Sequence, residues 1–531
     1  MKLYYSIILF SLPCLTGLAQ TTSTLIPIRE LAQKKMYTSW RKALRKPDRV
    51  YRLDLSGQNL TQLSRNIHVF TKLQELRIAR NALAQLPNEL VALTQLQILD
   101  VSHNQLQTLP AFLAKFPYLK QLNLAHNQLP ALPAKLVTLP ALAWLNIRGN
   151  PITYLPKGMG KMKRLKTLKA APPLMQQWKI QVQKSKVFTS LTEALQTPLQ
   201  VYHLELRQQL QVPSEITQFE NLEILDVNNN GLIALPKEIG ELKNLRELHA
   251  QNNGLTHLPP QIGSLKKLEV LNLKMNRLTE LPNPIGQLSA LRDLQLYRNR
   301  LTTIPASLGA LPSLQTLNLS RNRLQTLPDE LTQLKTLRQL DLRKNALQAL
   351  SANFGALKQL KKLDLGGNQL ATLPKGIGQL KKLETLDLRE NALTQLPQEI
   401  GGLSALKVLQ LRKNQLTQLP NELHQLHNLE TLDGWGNALE RLPEGIGALK
   451  NLKTMNLAYN QLTQLPESIG KLEHLQKLNL WNNPKLVKLP TSLGKLKNLQ
   501  SFKMKFSQLP LRERSLLQNR LLSTQVRGLK F

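Results

Sequence analysis

The 531-residue sequence predicts a curved α/β solenoid: short stacked repeats with a parallel inner sheet and short helical or irregular returns on the convex side. Three observations carry this. Residues 222–245, LEILDVNNNGLIALPKEIGELKNL, return from Leu268 as LEVLNLKMNRLTELPNPIGQLSAL and from Leu383 as LETLDLRENALTQLPQEIGGLSAL. Asparagine recurs every 23 residues from Asn81 to Asn150, and again from Asn230 to Asn483. Aromatic residues are only 5% and Cys14 is the single cysteine, which excludes collagen-like, disulfide-scaffold and disordered compositions.

One repeat explains itself. In residues 384–389, Glu-Thr-Leu-Asp-Leu-Arg, alternation sends Leu386 and Leu388 to one face and Thr385, Asp387 and Arg389 to the other. A single repeat cannot bury its own leucines, so neighbours stack and their strands form one parallel sheet. The asparagine stands where the chain leaves the strand, where its amide can satisfy backbone groups otherwise buried and unpaired. The Leu-Pro-x-x-Ile-Gly half is bracketed by proline and glycine over too few residues for a long helix. Returns longer than the strands bend the stack with its sheet inside.

The frame L-x-x-L-x-L-x-x-N-x-L, followed by L-P-x-x-I-G-x-L, resembles the leucine-rich repeat family. Within it the likeness is to the 23-residue group that includes the plant and animal Ras-group repeat proteins and many bacterial relatives. The resemblance covers residues 50–170 and 201–510. It implies the solenoid and a binding surface on the concave face, but no particular ligand.

Along the chain, residues 1–19 read as an export signal. Lys2 gives the positive start, the run from Tyr4 to Leu18 is apolar but short for a bilayer span, and Gly17 and Ala19 suit a cut after Ala19. That cut removes Cys14. No later stretch is long and apolar enough for a transmembrane helix, so the expected location is exported: secreted, periplasmic or cell-surface. Residues 20–49 are expected to form a helical cap and 50–170 a short repeat module. Residues 171–200 would form a joint with a second helical cap, 201–510 a long module and 511–531 a C-terminal cap. The second cap is read from a gapless match between 38–55, TSWRKALRKPDRVYRLDL, and 189–206, TSLTEALQTPLQVYHLEL. A cap in mid-chain implies a second solenoid beginning there. One continuous arc with a helical insertion at 171–200 is the other reading, and it shares every strand.

Motifs of catalytic or metal chemistry occur in the sequence only as incomplete copies. Asp226-Val227-Asn228-Asn229-Asn230-Gly231 mimics a calcium loop, but Lys237 stands where the loop needs a glutamate. His103 and His126 occupy equivalent places in adjacent repeats, and His424 and His427 are three apart, yet no cysteine or matching acid completes either pair as a metal site. There is no phosphate-binding glycine loop and no nucleophile elbow. The expectation is a non-catalytic protein with no cofactor and no metal.

Specificity should then lie in the variable positions of the concave face. Tyr297, Arg343, Arg389, Arg412, Trp435 and Trp481 occupy the position after that of the second strand leucine, and Arg298, Arg321, Lys344, Lys413 and Tyr459 occupy the next position. The candidate ligand-binding set is Tyr297, Arg298, Arg321, Arg343, Arg389, Arg412, Trp435, Tyr459 and Trp481, a basic stretch passing into an aromatic one. Such residues dominate binding hot spots. Asp341, Asp364, Asp387 and Asp433 lie one outward position earlier, so the arginines have a second reading as members of surface ion pairs. Trp435 follows Gly434, which replaces a core leucine, so its ring either joins the exposed column or folds inward.

Lysine and arginine number 70 against 34 acids, a net charge of +36. Many lysines sit in returns such as GQLKKL (378–383) and GSLKKL (263–268), where charge is commonly a solvated face. The expected function is an exported scaffold for protein–protein interaction or adhesion through its concave face. The alternative is polyanion or envelope-glycan binding driven by the basic surface. Specific nucleic-acid readout is not expected, since no groove-reading helix or stacking platform is visible.

Overall fold

The computed structural model describes residues 25–505 and 509–511. The proposed export signal, and all of the proposed C-terminal cap except Leu511, lie outside the described residues. The chain divides into two compact units, residues 1–185 and 186–531. Among the described residues each has its own parallel sheet, of 7 and 14 strands in chain order, so no sheet runs continuously across 171–200.

The first unit opens with α1 (Ile28–Leu31) and α2 (Trp40–Leu44), the latter capped by the Ser39 side chain. Helical capping was expected; a strand was not. Met36–Tyr37 pairs in parallel with Arg52–Leu53, so the cap extends the sheet as well as covering its end. The sheet closes at Thr167–Lys169, followed by α3 (Pro172–Ser185), which lies against the last return and buries Leu174 in this unit's core. The second unit repeats the opening at an offset of 151 residues. Ser190 caps α4 (Leu191–Leu195), Phe188 bridges to Leu204, and the first strand is His203–Glu205. Residues 171–200 therefore hold the closing helix of one unit and the opening cap of the next.

Within each repeat the structure shows three-residue strands and returns built as single 3-10 turns, for example Thr385–Asp387 and Lys375–Gln379. The core is one leucine column per frame position, with Leu363, Leu365, Leu386 and Leu388 essentially inaccessible. Isoleucine and glycine of the returns are buried too. At Gly378 a methyl group would overlap the Glu399 carbonyl oxygen of the next return, so only glycine lets the turns approach.

The frame asparagines do what the sequence predicts. Asn368 donates to the carbonyls of Leu342 (3.1 Å) and Leu365 (2.8 Å), while its Oδ1 accepts from the Leu347 N–H (3.1 Å). The residue before each asparagine was not foreseen. It sits in the left-handed region, as at Arg321 (φ 54), Lys344 (φ 53), Lys413 (φ 52) and Tyr459 (φ 58). This conformation costs about 1–2 kcal/mol for a non-glycine residue. It persists because the same backbone N–H reaches the next strand, as from Lys344 to the Gly366 carbonyl at 2.7 Å.

Three outcomes test this account. Leu365→Ala should lower unfolding free energy by about 2–5 kcal/mol through a cavity, and Asn368→Ala by roughly 1–3 kcal/mol through unpaired backbone groups, both read by denaturant titration. A fragment spanning 186–531 carries its own cap and should melt cooperatively; a molten signal would contradict the two-unit reading.

Candidate functional site

The outward position of the second unit's strands carries Asn318, Asp341, Asp364, Asp387, Gln410 and Asp433 in register on six successive strands. Their first task is local. Asp341, Asp364, Asp387 and Asp433 each accept the backbone N–H two residues on, at 3.2, 3.0, 3.0 and 3.3 Å, turning the chain out of the strand. Asn318 does the same for Ser320 (3.1 Å), so a neutral side chain suffices for this turn.

Their second task is ionic. Arg343 reaches Asp341 at 3.1 Å and Asp364 at 3.8 Å. Arg389 holds Asp387 at 2.5 Å, and Arg412 crosses one strand to Asp433 at 2.6 Å. Lys413 pairs with Glu390 at 3.0 Å. These arginines are thus structural partners as well as surface cations. Arg321 differs: its guanidinium lies 5.9 Å from the Tyr297 ring centroid, and among the described residues no carboxylate lies within ion-pair reach of it.

Gly366 and Gly367 interrupt both side-chain columns in one repeat, where the chain leaves the strand Lys362–Asp364. With no side chain at either position, the sheet face sinks there into an open depression of about 590 Å³. Tyr297 and Trp435 stand at its two ends, and Arg321, Arg343, Arg389 and Arg412 line it, so six of the nine predicted residues meet. Lys344, Lys413 and Glu390 join them, and Asp364 forms the floor. The sequence reads Asp364 only as one acid of the ion-pair row, and it does not single out the glycine notch. Two adjacent glycines, the one place in the long module where both columns lose their side chains together, were the available signal.

Three predicted residues lie outside the depression. Tyr459 packs on Trp435 with ring centroids 5.1 Å apart, and Trp481 is exposed two strands further on. Arg298 borders a separate shallow hollow with Arg300 and Arg323. The Trp435 ring does not fold into the core. A Cβ on Gly434 would already meet Leu457 and Leu439 at 3.3 and 3.5 Å, so neighbouring leucines have closed that space.

The Asp364 carboxyl is pushed up to about 6, first by burial and then by the Asp387 carboxylate beside it, against the Gly366 N–H and Arg343. Elsewhere the other sequence candidates have plain partners. Asp226 is held by Arg207 and the Asn228 N–H, at 2.8 and 2.9 Å. His103 and His126 stack at 4.3 Å, one strand apart, and His424 binds the Asn421 carbonyl. Among convex lysines, Lys381 and Lys450 donate to carbonyls of the following return, Gly402 and Lys471, at 2.8 and 3.0 Å.

Family models described as a leucine-rich repeat region match residues 239–350, 344–414 and 398–525, and one for two leucine-rich repeat copies matches 94–134. A solved leucine-rich repeat protein of Leptospira interrogans is 32% identical over 93% of this chain and 99% of its own, with a TM-score of 0.56. The Arabidopsis receptor kinase HAESA, solved with the peptide hormone IDA and a co-receptor, is 26% identical over 91% of this chain and 86% of its own, with a TM-score of 0.52. No curated protein sequence matches.

Asp364 provides the pH test. Its raised pKa means that folding takes up a proton between about pH 4 and 6, so its contribution to stability is present below 4 and is lost as pH rises through 6. Asp364→Asn keeps an acceptor for Gly366 and removes the charge. It should raise stability at pH 7.5 by about 1–2 kcal/mol, less than the ~3 kcal/mol of the full shift because water reaches the carboxylate. It should also flatten the pH dependence between 4 and 7. Destabilisation with an unchanged pH profile would contradict the assignment.

Proposed function

Because the chain belongs to the leucine-rich repeat family, we propose that it is an exported scaffold that acts by binding rather than catalysis. Its ligand is a protein or peptide held on the sheet face of the second unit. One observation carries this reading: the depression between Tyr297 and Trp435 is built from large cationic and aromatic side chains at positions the fold leaves free. The core needs only the leucines, and the turn needs only an oxygen at the Asp or Asn position. Exposed aromatics beside arginines are the residues that concentrate binding energy. HAESA, whose sheet stack is comparable, was solved with a peptide hormone, which supports a peptide or protein segment as the ligand class here. Export rests on the N-terminal sequence. Among the described residues no helix is long and apolar enough to cross a membrane.

The test begins with a partner captured from the native environment at moderate and high salt. Trp435→Ala should weaken that partner roughly 30-fold, the effect of losing an aromatic anchor worth about 2 kcal/mol, with little change in melting temperature. Arg321→Ala should mainly slow association and reduce its salt dependence. Trp481→Ala, outside the depression, should cost less than Trp435→Ala. Unchanged binding by the Trp435→Ala/Arg321→Ala double variant would remove the site from this face.

A further inference from the structure

In this solenoid a charge one repeat away is a contact, because each residue has its counterpart 23 positions on in the neighbouring repeat. The ion pairs use that register: Arg52–Glu75 and Lys407–Glu384 at 2.6 and 3.0 Å, Lys413–Glu390 at 3.0 Å, Lys453–Glu430 and Lys450–Glu473 at 2.7 Å each, and Arg246–Glu269. One stretch departs from the pattern. Residues 101–185 contain twelve lysines and arginines and no Asp or Glu. Lys157, Lys161, Lys163, Arg164, Lys166 and Lys169 crowd into its last return and strand, all exposed. Their counterparts one repeat back are Ala134, Thr138, Pro140, Ala141, Ala143 and Asn146, none of which can neutralise them. The helix α3, packed on that return, adds no acid. Such crowding repels itself and is not required by the repeat frame.

We propose that the end of the first unit, from the return at 157–166 round to its sheet face, is a docking face for an acidic polysaccharide. The cations run from the outer return through Lys166 to Lys169 on the sheet side, where Lys169 lies 5.5 Å from the half-buried Trp144 ring. Beside it, Arg148, Met175 and Lys179 border an open cleft of about 730 Å³. A flat bilayer or a stiff duplex cannot follow cations round that corner. A single flexible chain of sugars can, laying its carboxylate or sulfate groups on the lysines, with Lys169 held over the Trp144 ring. This site is separate from the depression of the second unit, so either can fail alone.

The test uses the full chain and fluorescent heparin fragments or oligogalacturonate, with single-stranded DNA and anionic phosphatidylglycerol vesicles as competing probes. Glycan affinity should fall log-linearly with salt. The variant Lys161→Glu/Lys163→Glu/Arg164→Glu should lose at least 10-fold in affinity and have a shallower salt slope. The variant Lys237→Glu/Lys375→Glu/Arg441→Glu, with the same charge change in the second unit, should lose less than 3-fold. If the first triple variant fails to melt cooperatively, the Gln version of the same three sites replaces it. Equal losses from both variants would reduce the effect to net charge. Tighter binding of DNA or vesicles than of glycan at the same salt would overturn the polysaccharide assignment.

Discussion

Every other feature depends on the asparagine that closes each strand. Its side chain answers three backbone groups at once, two carbonyls and one N–H, and one of those carbonyls belongs to the preceding repeat. Without it those groups would be buried and unpaired, a cost of about 1–3 kcal/mol at each repeat. The bond also fixes register. Once consecutive repeats are locked 23 residues apart, leucines stack on leucines, the returns nest at their glycines, and outward side chains fall into straight columns.

The columns separate fold from function. The core uses the strand leucines and the return isoleucines; the turn uses an Asp or Asn oxygen. The position after the second strand leucine and the left-handed position after it are left to vary. The left-handed residue costs backbone energy wherever it is not glycine, yet arginine, lysine and tyrosine occupy it at 321, 344, 413 and 459. Glycine takes it at Gly367, which together with Gly366 opens the notch. Asp364, on the floor of that notch, is the acid in the row that burial and its neighbours disturb most, because Arg343 reaches it only at 3.8 Å while Arg389 turns to Asp387.

The fold was largely legible because its determinants are periodic. Asn368, Leu365 and the cap repeat at an offset of 151 could each be placed by counting. Elements outside the period were harder. The strand at Met36–Tyr37 has no alternation to reveal it, and α3 belongs to the first unit through the burial of Leu174 rather than through any sequence frame. Six of the nine candidate site residues come together because five stand on neighbouring repeats of one column and Arg321 stands in the column beside it. What the sequence hid was depth. A column of letters shows that Gly366 lacks a side chain, but not that its loss, with that of Gly367, hollows the face around Asp364. Nor does it show that core leucines close the space beneath Trp435 and leave the ring outside with Tyr459.

The central claim is that a partner is held in the depression on the sheet face of the second unit. Site-specific photo-crosslinking tests it most directly, with a benzoylphenylalanine introduced at Arg321, at Trp481 or at Lys237 on the opposite, return side. The account predicts strong cross-links to the captured partner from position 321, weaker ones from 481 and none from 237. Cross-links from 237 with none from 321 would contradict it and move binding to the outer returns.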